Sequence, residues 1–305
     1  MAETVFLVNP ASANGSTGRR WPEIAHRLAA AGVEGETLFS TGPGGIAELA
    51  GRAVRDGASL VVAVGGDGTV NETVNGLLES GAASIPELAT IPFGTGTDFI
   101  RTFGIPKETD GAVEVLRGGR ARQIDAGRVE YQAWDGSAGS GWFVNAASAG
   151  MSGAVARRAN ASSKALGGKA SFLWATLAVF AGWHNTDVTV DVDGERRDGR
   201  MLDVIVSNTA YLGGGMKMCP EAQPDDGLFD VLLIGDITKR DLALTLPKVY
   251  RGTHLPHPKA ELLRGRTIAV DAPAALPVEL DGEQPGTTPA RFEMHPGALR
   301  LRVPA

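Results

Sequence analysis

The feature that most constrains this fold is an apolar strand that runs directly into a glycine-rich turn and then into a helix. The predicted strand, Leu60–Val64, is followed without a break by Gly-Gly-Asp-Gly. Farther along, Val70, Val74 and Leu77 recur at intervals of three and four residues, so they lie on one face of a helix. A strand that is apolar on both faces and precedes such a helix is typical of a parallel sheet, whose strands are joined by helical crossovers.

The same alternation of strand and helix covers the first third of the chain. Each short β-prone run ends in a turn signal and is followed by an amphipathic stripe. This order predicts an α/β N-terminal domain with a parallel sheet. The predicted strands are Val5–Val8, Glu36–Phe39, Leu60–Val64 and Leu88–Ile91.

Strand patterns dominate after about Arg122 and predict a β-rich (β-sandwich) C-terminal domain. We place the two domains at residues 1–127 and 128–305. The last strand belongs either to the second domain or to the first. The predicted strands are Phe143–Ala147, Val188–Val192, Met201–Val206, Phe229–Ile234, Ile268–Val270, Val278–Leu280 and Leu299–Val303. Helices are predicted around Ala154–Ala159, Ala170–Gly182 and Asp241–Tyr250, and a hairpin loop at Asp135–Gly141.

Composition and charge argue against several classes of protein. The 29 basic and 35 acidic residues give a net charge of −6, which offers no general attraction to nucleic acid. The one cysteine, Cys219, excludes an internal disulfide and suits a reducing cytoplasm. The most apolar stretch, Ala170–Trp183, is shorter than the ~20 residues that a membrane-spanning helix needs. We therefore expect a cytoplasmic protein with no transmembrane segment, and peripheral contact with the inner face of a membrane stays open.

Two glycine-rich turns carry the strongest chemical signal. Three glycines within four residues, at the start of a helix, are typical of a turn that brings the backbone close to a phosphate. Asp67 in that turn either holds Mg²⁺ on a nucleotide or, like Thr69, caps the helix. The second turn, Gly94-Thr95-Gly96-Thr97-Asp98, leaves the same edge of the sheet, so both turns could face one ligand. Asp98 belongs either to that ligand site or to a helix cap.

Two acidic turns follow far down the chain. The segment Gln223–Leu228 either offers a carboxylate and backbone carbonyls to a hard cation or is a solvated turn. The segment Asp281-Gly282-Glu283 follows a predicted strand. It is therefore either a hairpin turn or the position of a general base, Glu283, that removes a proton from an alcohol.

Taken in order, these motifs resemble the diacylglycerol kinase catalytic-domain family, most closely its bacterial soluble lipid kinases, which are relatives of sphingosine kinases. The resemblance covers nearly the whole chain. The matching motifs are Asn9-Pro10 with Ser12, Gly15 and Gly18, then Gly65–Thr69 with Asn71-Glu72, Gly94–Asp98, Gly213–Gly215, Asp225–Gly227 and Asp281–Glu283. The resemblance implies an NAD kinase/diacylglycerol kinase-like fold, with the nucleotide between the two domains and a lipid acceptor entering from the second.

The implied activity is ATP-dependent phosphorylation of a lipid hydroxyl. By motif match, Asp67 and Asp98 would hold Mg²⁺-ATP, and Glu283 would be the general base. The family usually has Asn where this chain has Thr97, which removes an amide beside Asp98. The nucleotide-binding positions that the resemblance implies are Asn9, Thr41, Gly65, Gly66, Asp67, Gly68, Thr69, Val70, Asn71, Glu72, Gly94 and Thr95.

The resemblance also implies a structural magnesium site. Its ligands would be the backbone carbonyls of Gln223 and Leu228 and the carboxylate of Asp226. Such an ion would hold the acidic turn in place and take no part in the chemistry.

Two other functions stay open. A dinucleotide kinase shares the Gly-Gly-Asp-Gly turn and a related two-domain fold, although the Gly-Thr-Gly-Thr-Asp and Asp-Gly-Glu turns argue against it. The other is a nucleotide-binding regulatory protein that has lost turnover. The identity of the acceptor lipid and a homodimeric state are also open. The apolar side chains from Phe172 to Trp183 line an acyl-chain pocket, contact a membrane surface or pack in a core.

Overall fold

The chain divides into two units in this computed structural model, which describes residues 3–93, 98–161, 176 and 178–305. The first unit comprises Met1–Ile124 and Gly297–Ala305, and the second comprises Asp125–Pro296. The boundary therefore falls at 124/125, against the predicted 127/128, and the end of the chain belongs to the first unit.

The first unit is built on a parallel sheet, as the sequence predicts. Its strands are β1 (Thr4–Val8), β2 (Glu36–Phe39), β3 (Leu60–Gly65) and β4 (Glu87–Pro92), and its helices are α1 (Ser12–Ala30), α2 (Gly45–Arg55), α3 (Asp67–Leu78), α4 (Asp98–Thr102) and α5 (Thr109–Gly118). The strand order is β2-β1-β3-β4, and all of these pairs are parallel. The C-terminal strand adds to the β4 edge, also in parallel, where Leu301 pairs with Leu88.

Helices cover the sheet of the first unit and produce its core. All six residues of β3 are buried, which explains the unbroken apolar run in the sequence. Ile24 and Leu28 from α1 and Leu116 from α5 pack with Val62 and Ile91 of the sheet. Helices α1 and α5 therefore face the sheet with their apolar side chains.

The second unit consists mainly of antiparallel strands. Its strands are β5 (Arg120–Ala133), β6 (Ala138–Phe143), β7 (Ala146–Gly150), β8 (Thr186–Val192), β9 (Glu195–Ser207), β10 (Phe229–Gly235), β11 (Ala260–Gly265), β12 (Thr267–Asp271), β13 (Pro277–Leu280) and β14 (Glu283–Val303), and its helices include α6 (Met151–Ala161) and α7 (Lys239–Arg251). Strand β5 begins, and strand β14 ends, in the first unit.

Two long strands, β9 and β14, each pair with several other strands of the second unit. Strand β9 pairs with β8 along its first half and with β7 and β10 along its second half. Strand β14 pairs first with β13 and then with β12, which in turn pairs with β8. Because β13 also pairs with β7, these pairings form a closed circuit of strands. The strands enclose a core in which Phe143 stacks on Phe229, with 5.5 Å between ring centroids, and contacts Phe292 edge-on. The predicted β-rich domain is confirmed.

Several boundaries differ from the prediction. The predicted strand Phe143–Ala147 is wrong, because β6 ends at Phe143 and a new strand begins at Ala146. The Asp281 carboxylate accepts hydrogen bonds from the backbone between them, which turns the chain. Of the predicted loop Asp135–Gly141, the part from Ala138 onward pairs as β6. Strands β5 and β11 are not in the prediction, and of β14 only Leu299–Val303 is.

Part of the predicted helix Ala170–Gly182 lies outside the described residues, as do Phe172, Leu173, Trp174 and Leu177. Within the described part of the chain, no helix has the length and apolar character needed to cross a membrane.

A close contact between α2 and α3 yields a prediction for stability. Gly76 of α3 lies so near the carbonyl oxygen of Ala47 that an added Cβ atom would overlap it. We expect Gly76→Ala to lower the free energy of unfolding by about 1–3 kcal/mol, because backbone must move to make room. Gly118→Ala at the end of α5 is the matched control, since its Cβ would meet no atom. Urea unfolding followed by circular dichroism measures both variants, and equal stabilities would contradict the prediction.

Candidate active site

The turn after β3 presents the first turn of α3 with little side-chain cover. Gly66 precedes the helix in an extended conformation, and its carbonyl accepts the N–H groups of Thr69 and Val70. Gly65 is required sterically, because a Cβ atom there would overlap the side chain of Thr69. Gly68 is exposed. The first N–H groups of such a helix have no acceptor within it and favour an anion.

Asn9 ties the loop after β1 to this turn. Its side-chain amide donates to Thr69 Oγ1 at 3.3 Å, and its Oδ1 accepts the backbone N–H of Ala11 at 3.1 Å. The Asn9 backbone N–H also donates to the carbonyl of Val64, at the end of β3. The loop after β1 is thereby held against the end of β3 and the start of α3.

Asp67 and Asp98 lie together, as the common sheet edge of their two turns predicts. The backbone N–H of Asp98, at the start of α4, donates to Asp67 Oδ2 at 3.2 Å. Asp98 is buried, with 4% of its surface exposed, whereas Asp67 is partly exposed. Asp67 therefore acts as a cap for α4 and at the same time keeps a carboxylate at the edge of the sheet. Gly94, Thr95, Gly96 and Thr97 lie outside the described residues.

The remaining predicted nucleotide positions have structural contacts of their own. Val70 is buried, so its backbone is what it can offer to a ligand. Asn71 accepts two hydrogen bonds from the side-chain amide of Asn75. Glu72 accepts the backbone N–H of Ile46 at 3.2 Å, which caps the start of α2. Thr41, in the loop before α2, is exposed.

The turn that carries Glu283 is held rigidly in the second unit. Asp281 has a left-handed conformation with φ of 47°, and its carboxylate accepts the backbone N–H groups of Val144, Asn145 and Ala146, each at 3.0 Å. Glu279 Oε1 accepts the N–H of Gly282. Glu283 itself is exposed at the start of β14. Its carboxylate is therefore accessible and stands on an ordered turn.

Two buried carboxyl groups lie behind this turn, and the sequence reasoning missed them. Glu279 accepts a hydrogen bond from the Ser148 hydroxyl at 3.2 Å, and Asp203 accepts the backbone N–H of Ser152 at 2.8 Å. Burial raises the pKa of Glu279 to about 8 and the pKa of Asp203 to about 7. The sequence signal that could have identified them is an acidic residue within an apolar strand pattern, which occurs for Asp203 in Met201–Val206 and for Glu279 in Val278–Leu280.

The predicted metal turn is held by protein groups. Asp226 Oδ1 accepts the N–H of Leu228 at 3.1 Å, and its other oxygen pairs with Arg264. Asp125 accepts the N–H of Gly227 at 2.7 Å. Gln223 is exposed. The prediction named neither Arg264 nor Asp125.

The available metal-ligating side chains and the charges nearby limit which ions the turn at residues 223–228 can bind. The described residues contain no group of three or more His, Cys, Asp or Glu side chains that could hold a metal ion. Burial raises the pKa of Asp230. The positive charge of Arg264 acts to lower this pKa, and the negative charge of Asp226 acts to raise it further. Any ion here would therefore depend on backbone carbonyls as well as on one carboxylate.

The buried carboxyl pair yields a prediction for pH. At neutral pH the folded state keeps the proton on Glu279 and part of the proton on Asp203, whereas the unfolded state loses both. Their contribution to stability is therefore complete below the ordinary pKa values of 3.8 and 4.5, and it is lost as pH rises through about 7 for Asp203 and about 8 for Glu279. Urea unfolding at pH 5 to 8 should show a free energy that falls with pH in the parent.

The variant Glu279→Gln removes one of these titrations. We expect its pH slope to be shallower by about 1 kcal/mol per pH unit, because one fewer proton is released on unfolding. Glu293→Gln on β14 is the matched control, since Glu293 is exposed. Parallel slopes for parent and Glu279→Gln would show that the carboxyl does not titrate as described.

Two family models match this chain. The diacylglycerol kinase catalytic domain matches residues 3–129, and the YegS C-terminal NAD kinase beta sandwich-like domain matches residues 145–303. Two relatives named diacylglycerol kinase, from Staphylococcus carnosus (strain TM300) and Staphylococcus aureus (strain bovine RF122 / ET3-1), are 27% and 28% identical over 288 residues. The alignments cover 94% of this chain and 90% and 88% of those proteins.

Solved structures agree on the fold. A diacylglycerol kinase structure from Bacillus anthracis (strain Sterne) has a TM-score of 0.74 at 20% identity and covers 99% of this chain and 97% of that chain. Yeast NADH kinase has a TM-score of 0.57 at 13% identity and covers 98% of this chain and 82% of that one. The chain belongs to the diacylglycerol kinase family in which that catalytic domain is followed by the YegS C-terminal NAD kinase beta sandwich-like domain.

Proposed function

We propose that this protein is an ATP-dependent lipid kinase that transfers the γ-phosphate to the hydroxyl of a diacylglycerol-like acceptor. Membership of the family indicates a kinase that uses a nucleotide. The observation that carries the proposal is the pairing of Asp67 with the backbone N–H of Asp98 beside the open first turn of α3. Two carboxylates and a helix N-terminus in one place are what a metal-bound phosphate chain requires.

The nucleotide would lie along the loops after β1 and β3. The glycine turn at residues 65–68 allows phosphate oxygens to approach the N–H groups of α3, and Asn9 holds the facing loop. The hard oxygen atoms of Asp67 and Asp98 suit Mg²⁺. When bound, the ion neutralises negative charge on the phosphate oxygens. Val70 and Glu72 would support helix α3, and the residues next to them would contact the nucleotide directly.

Glu283 would act as the general base. Its exposed carboxylate takes the proton from the acceptor hydroxyl as that oxygen attacks the γ-phosphorus. The bond between the γ-phosphorus and the β,γ-bridging oxygen breaks, and ADP leaves with its electron pair. Asp281 and Glu279 hold the turn, so Glu283 needs little reorganisation to accept the proton.

The acidic turn of the second unit is proposed as a structural magnesium site. Two backbone carbonyls, of Gln223 and Leu228, and the Asp226 carboxylate are oxygen donors of the kind that Mg²⁺ prefers. The Asp226 carboxylate already has a cationic partner in Arg264, so the ion would share or replace that partner. Its role would be to hold the turn.

The acceptor class comes from the relatives, which are named diacylglycerol kinase. A diacylglycerol-like alcohol is therefore the acceptor we propose. Monoacylglycerol, phosphatidylglycerol, sphingoid bases and isoprenoid or polyketide alcohols offer the same reacting hydroxyl and belong in the same assay.

Release of ADP tests the proposal. The purified chain is incubated with Mg²⁺-ATP and with no acceptor, with diacylglycerol in detergent micelles, with a bacterial total-lipid extract in the same detergent, or with NAD. We expect release only in the two lipid arms, and mass spectrometry of the product identifies the lipid. Release with NAD would instead indicate a dinucleotide kinase. Saturable ATP binding without release in any arm would favour a regulatory nucleotide-binding protein.

The variant Glu283→Gln tests the base. We expect kcat to fall by about 10²–10⁴-fold, because the amide cannot accept the proton, while ATP binding is kept. Glu293→Gln, an exposed glutamate on the same strand, should retain activity within about twofold. A folded Glu283→Gln protein that phosphorylates its best acceptor as fast as the parent would remove Glu283 from the mechanism.

A further inference from the structure

Trp134 is an exposed aromatic residue on the turn between β5 and β6. Its exposed fraction is 49%, and in the described part of the chain it is one of four large hydrophobic residues that are exposed. A single exposed apolar side chain needs no explanation on its own, so its contacts decide whether it has a role. The contacts of Trp134 join this turn to α6 and to the strand on which Glu283 lies.

The indole of Trp134 is fixed beside the proposed base. Its Nε1 donates to the backbone carbonyl of Gln284, the residue after Glu283, at 3.2 Å. The end of β5 and the start of β14 also approach closely at Gly286, where an added Cβ atom would overlap the carbonyl oxygen of Gln132. The ring is therefore held in a defined position next to the turn of Glu283.

Arg157 of α6 stacks on the same indole. Its Cζ lies 4.3 Å from the centroid of the Trp134 ring, which is the shortest cation–π contact among the described residues. Gly153, four residues earlier on the same face of α6, lies so near the carbonyl oxygen of Pro277 that an added Cβ atom would overlap it. This close approach to β13 positions α6 for the contact between Arg157 and Trp134.

The Arg157 guanidinium keeps hydrogen-bond donors for a ligand. A guanidinium that stacks on a ring makes contact through its face, and its N–H groups point outward in its own plane. Within the part of the chain that the structure describes, Arg157 forms no ion pair with a carboxylate. Asp135, next to Trp134 in sequence, instead accepts the N–H and the hydroxyl of Ser137 at 3.0 and 2.6 Å. An exposed ring and oriented cationic donors thus lie side by side.

We propose that Trp134 and Arg157 bind the part of the acceptor lipid that adjoins the reacting hydroxyl. The indole packs against the hydrocarbon of the glycerol unit, and the guanidinium donates to an acyl-ester or phosphodiester oxygen. This inference rests on the proposed function, in which Glu283 takes the proton from that hydroxyl. A glycerolipid alcohol carries hydrocarbon and oxygen acceptors close to its hydroxyl, and this pair of side chains offers a surface to each. A brace for the turn would need the hydrogen bond to Gln284 but not an exposed ring with a cation over it.

Steady-state kinetics with a monomeric short-chain diacylglycerol test the site, because no bilayer or micelle is then present. For Trp134→Ala and for Arg157→Gln we expect the KM for the acceptor to rise by about tenfold. The kcat and the KM for ATP should stay within about twofold of the parent, because the contacts are the same in the ground state and in the transition state. Trp134→Phe keeps a ring but loses the donor to Gln284, so its acceptor KM should rise by less than about threefold.

Two matched controls lie in the same unit. Tyr250→Ala removes an aromatic side chain of equal exposure, 49%, and Arg158→Gln removes the exposed arginine that follows Arg157 on α6. Both should keep the parental KM for the acceptor. If Trp134→Ala and Trp134→Phe instead lower kcat alike and leave the acceptor KM unchanged, the indole only supports the turn of Glu283 and the proposal fails.

A comparison of two acceptors identifies the oxygen that Arg157 contacts. An ester oxygen predicts that Arg157→Gln raises the KM for short-chain diacylglycerol and for short-chain phosphatidylglycerol by the same factor. A phosphodiester oxygen predicts a larger rise for phosphatidylglycerol, because the lost hydrogen bond is charged on both sides. An unchanged KM for both acceptors would overturn the role of Arg157.

Lipid binding without ATP separates this inference from the proposed function. Tryptophan fluorescence is followed as short-chain diacylglycerol is added to the parent, to Arg157→Gln and to Trp134→Phe, which retains the other four of the five tryptophans. We expect a saturable change in the parent, a need for about tenfold more lipid in Arg157→Gln, and loss of most of the change in Trp134→Phe.

The two measurements together distinguish the failures. A parent that gives this fluorescence change but releases no ADP would contradict the kinase function and support the binding site. A parent that phosphorylates the lipid, with a fluorescence change that persists in Trp134→Phe, would overturn the site and leave the kinase function. A parent that neither binds nor phosphorylates the lipid would overturn both.

Discussion

The interaction on which the candidate site depends is a carboxylate that accepts hydrogen bonds from backbone N–H groups of a distant segment. Buried or half-buried peptide groups must be paired, and an acidic side chain can pair several of them at once. The result is that turns and the first residues of helices and strands far apart in the chain are held in a defined arrangement. The pairs are Glu72 with Ile46, Asp67 with Asp98, Asp125 with Gly227, Asp203 with Ser152, and Asp281 with Val144, Asn145 and Ala146.

This use of carboxylates divides the acidic residues between support and chemistry. Both oxygen atoms of Asp281 accept backbone N–H groups, and one oxygen of Glu72 accepts the N–H of Ile46, so these two residues have a supporting role. Glu283 is exposed on a turn that others hold, which suits a base that must meet an incoming alcohol. Asp67 combines both tasks, because one of its oxygens caps α4 at the edge where a phosphate-bound ion would lie. A kinase needs this division, since phosphoryl transfer depends on positioning more than on covalent chemistry.

The second unit has an enclosed apolar core, and ionisable side chains lie near the turn of the proposed base and on the outer surface. Its aromatic core, centred on Phe143, is enclosed by strands that change partners along their length. Two buried carboxyls, Asp203 and Glu279, lie next to the turn of the proposed base, where burial raises the pKa of Asp203 to about 7 and the pKa of Glu279 to about 8. On the outside, α7 carries four basic side chains and the exposed Leu244.

The sequence by itself determined the strand and helix order of the first unit, because a strand buried on both faces must be apolar throughout and a glycine turn must follow it, as at Leu60–Gly65. It also placed Asp67 and Asp98 at one sheet edge, since parallel strands end together. Only the tertiary structure decided the break after Phe143, because the group responsible, Asp281, is far away in the chain. The same reason hid the Arg264–Asp226 pair: local patterns report on neighbours in sequence, whereas hydrogen bonds and ion pairs depend on neighbours in space.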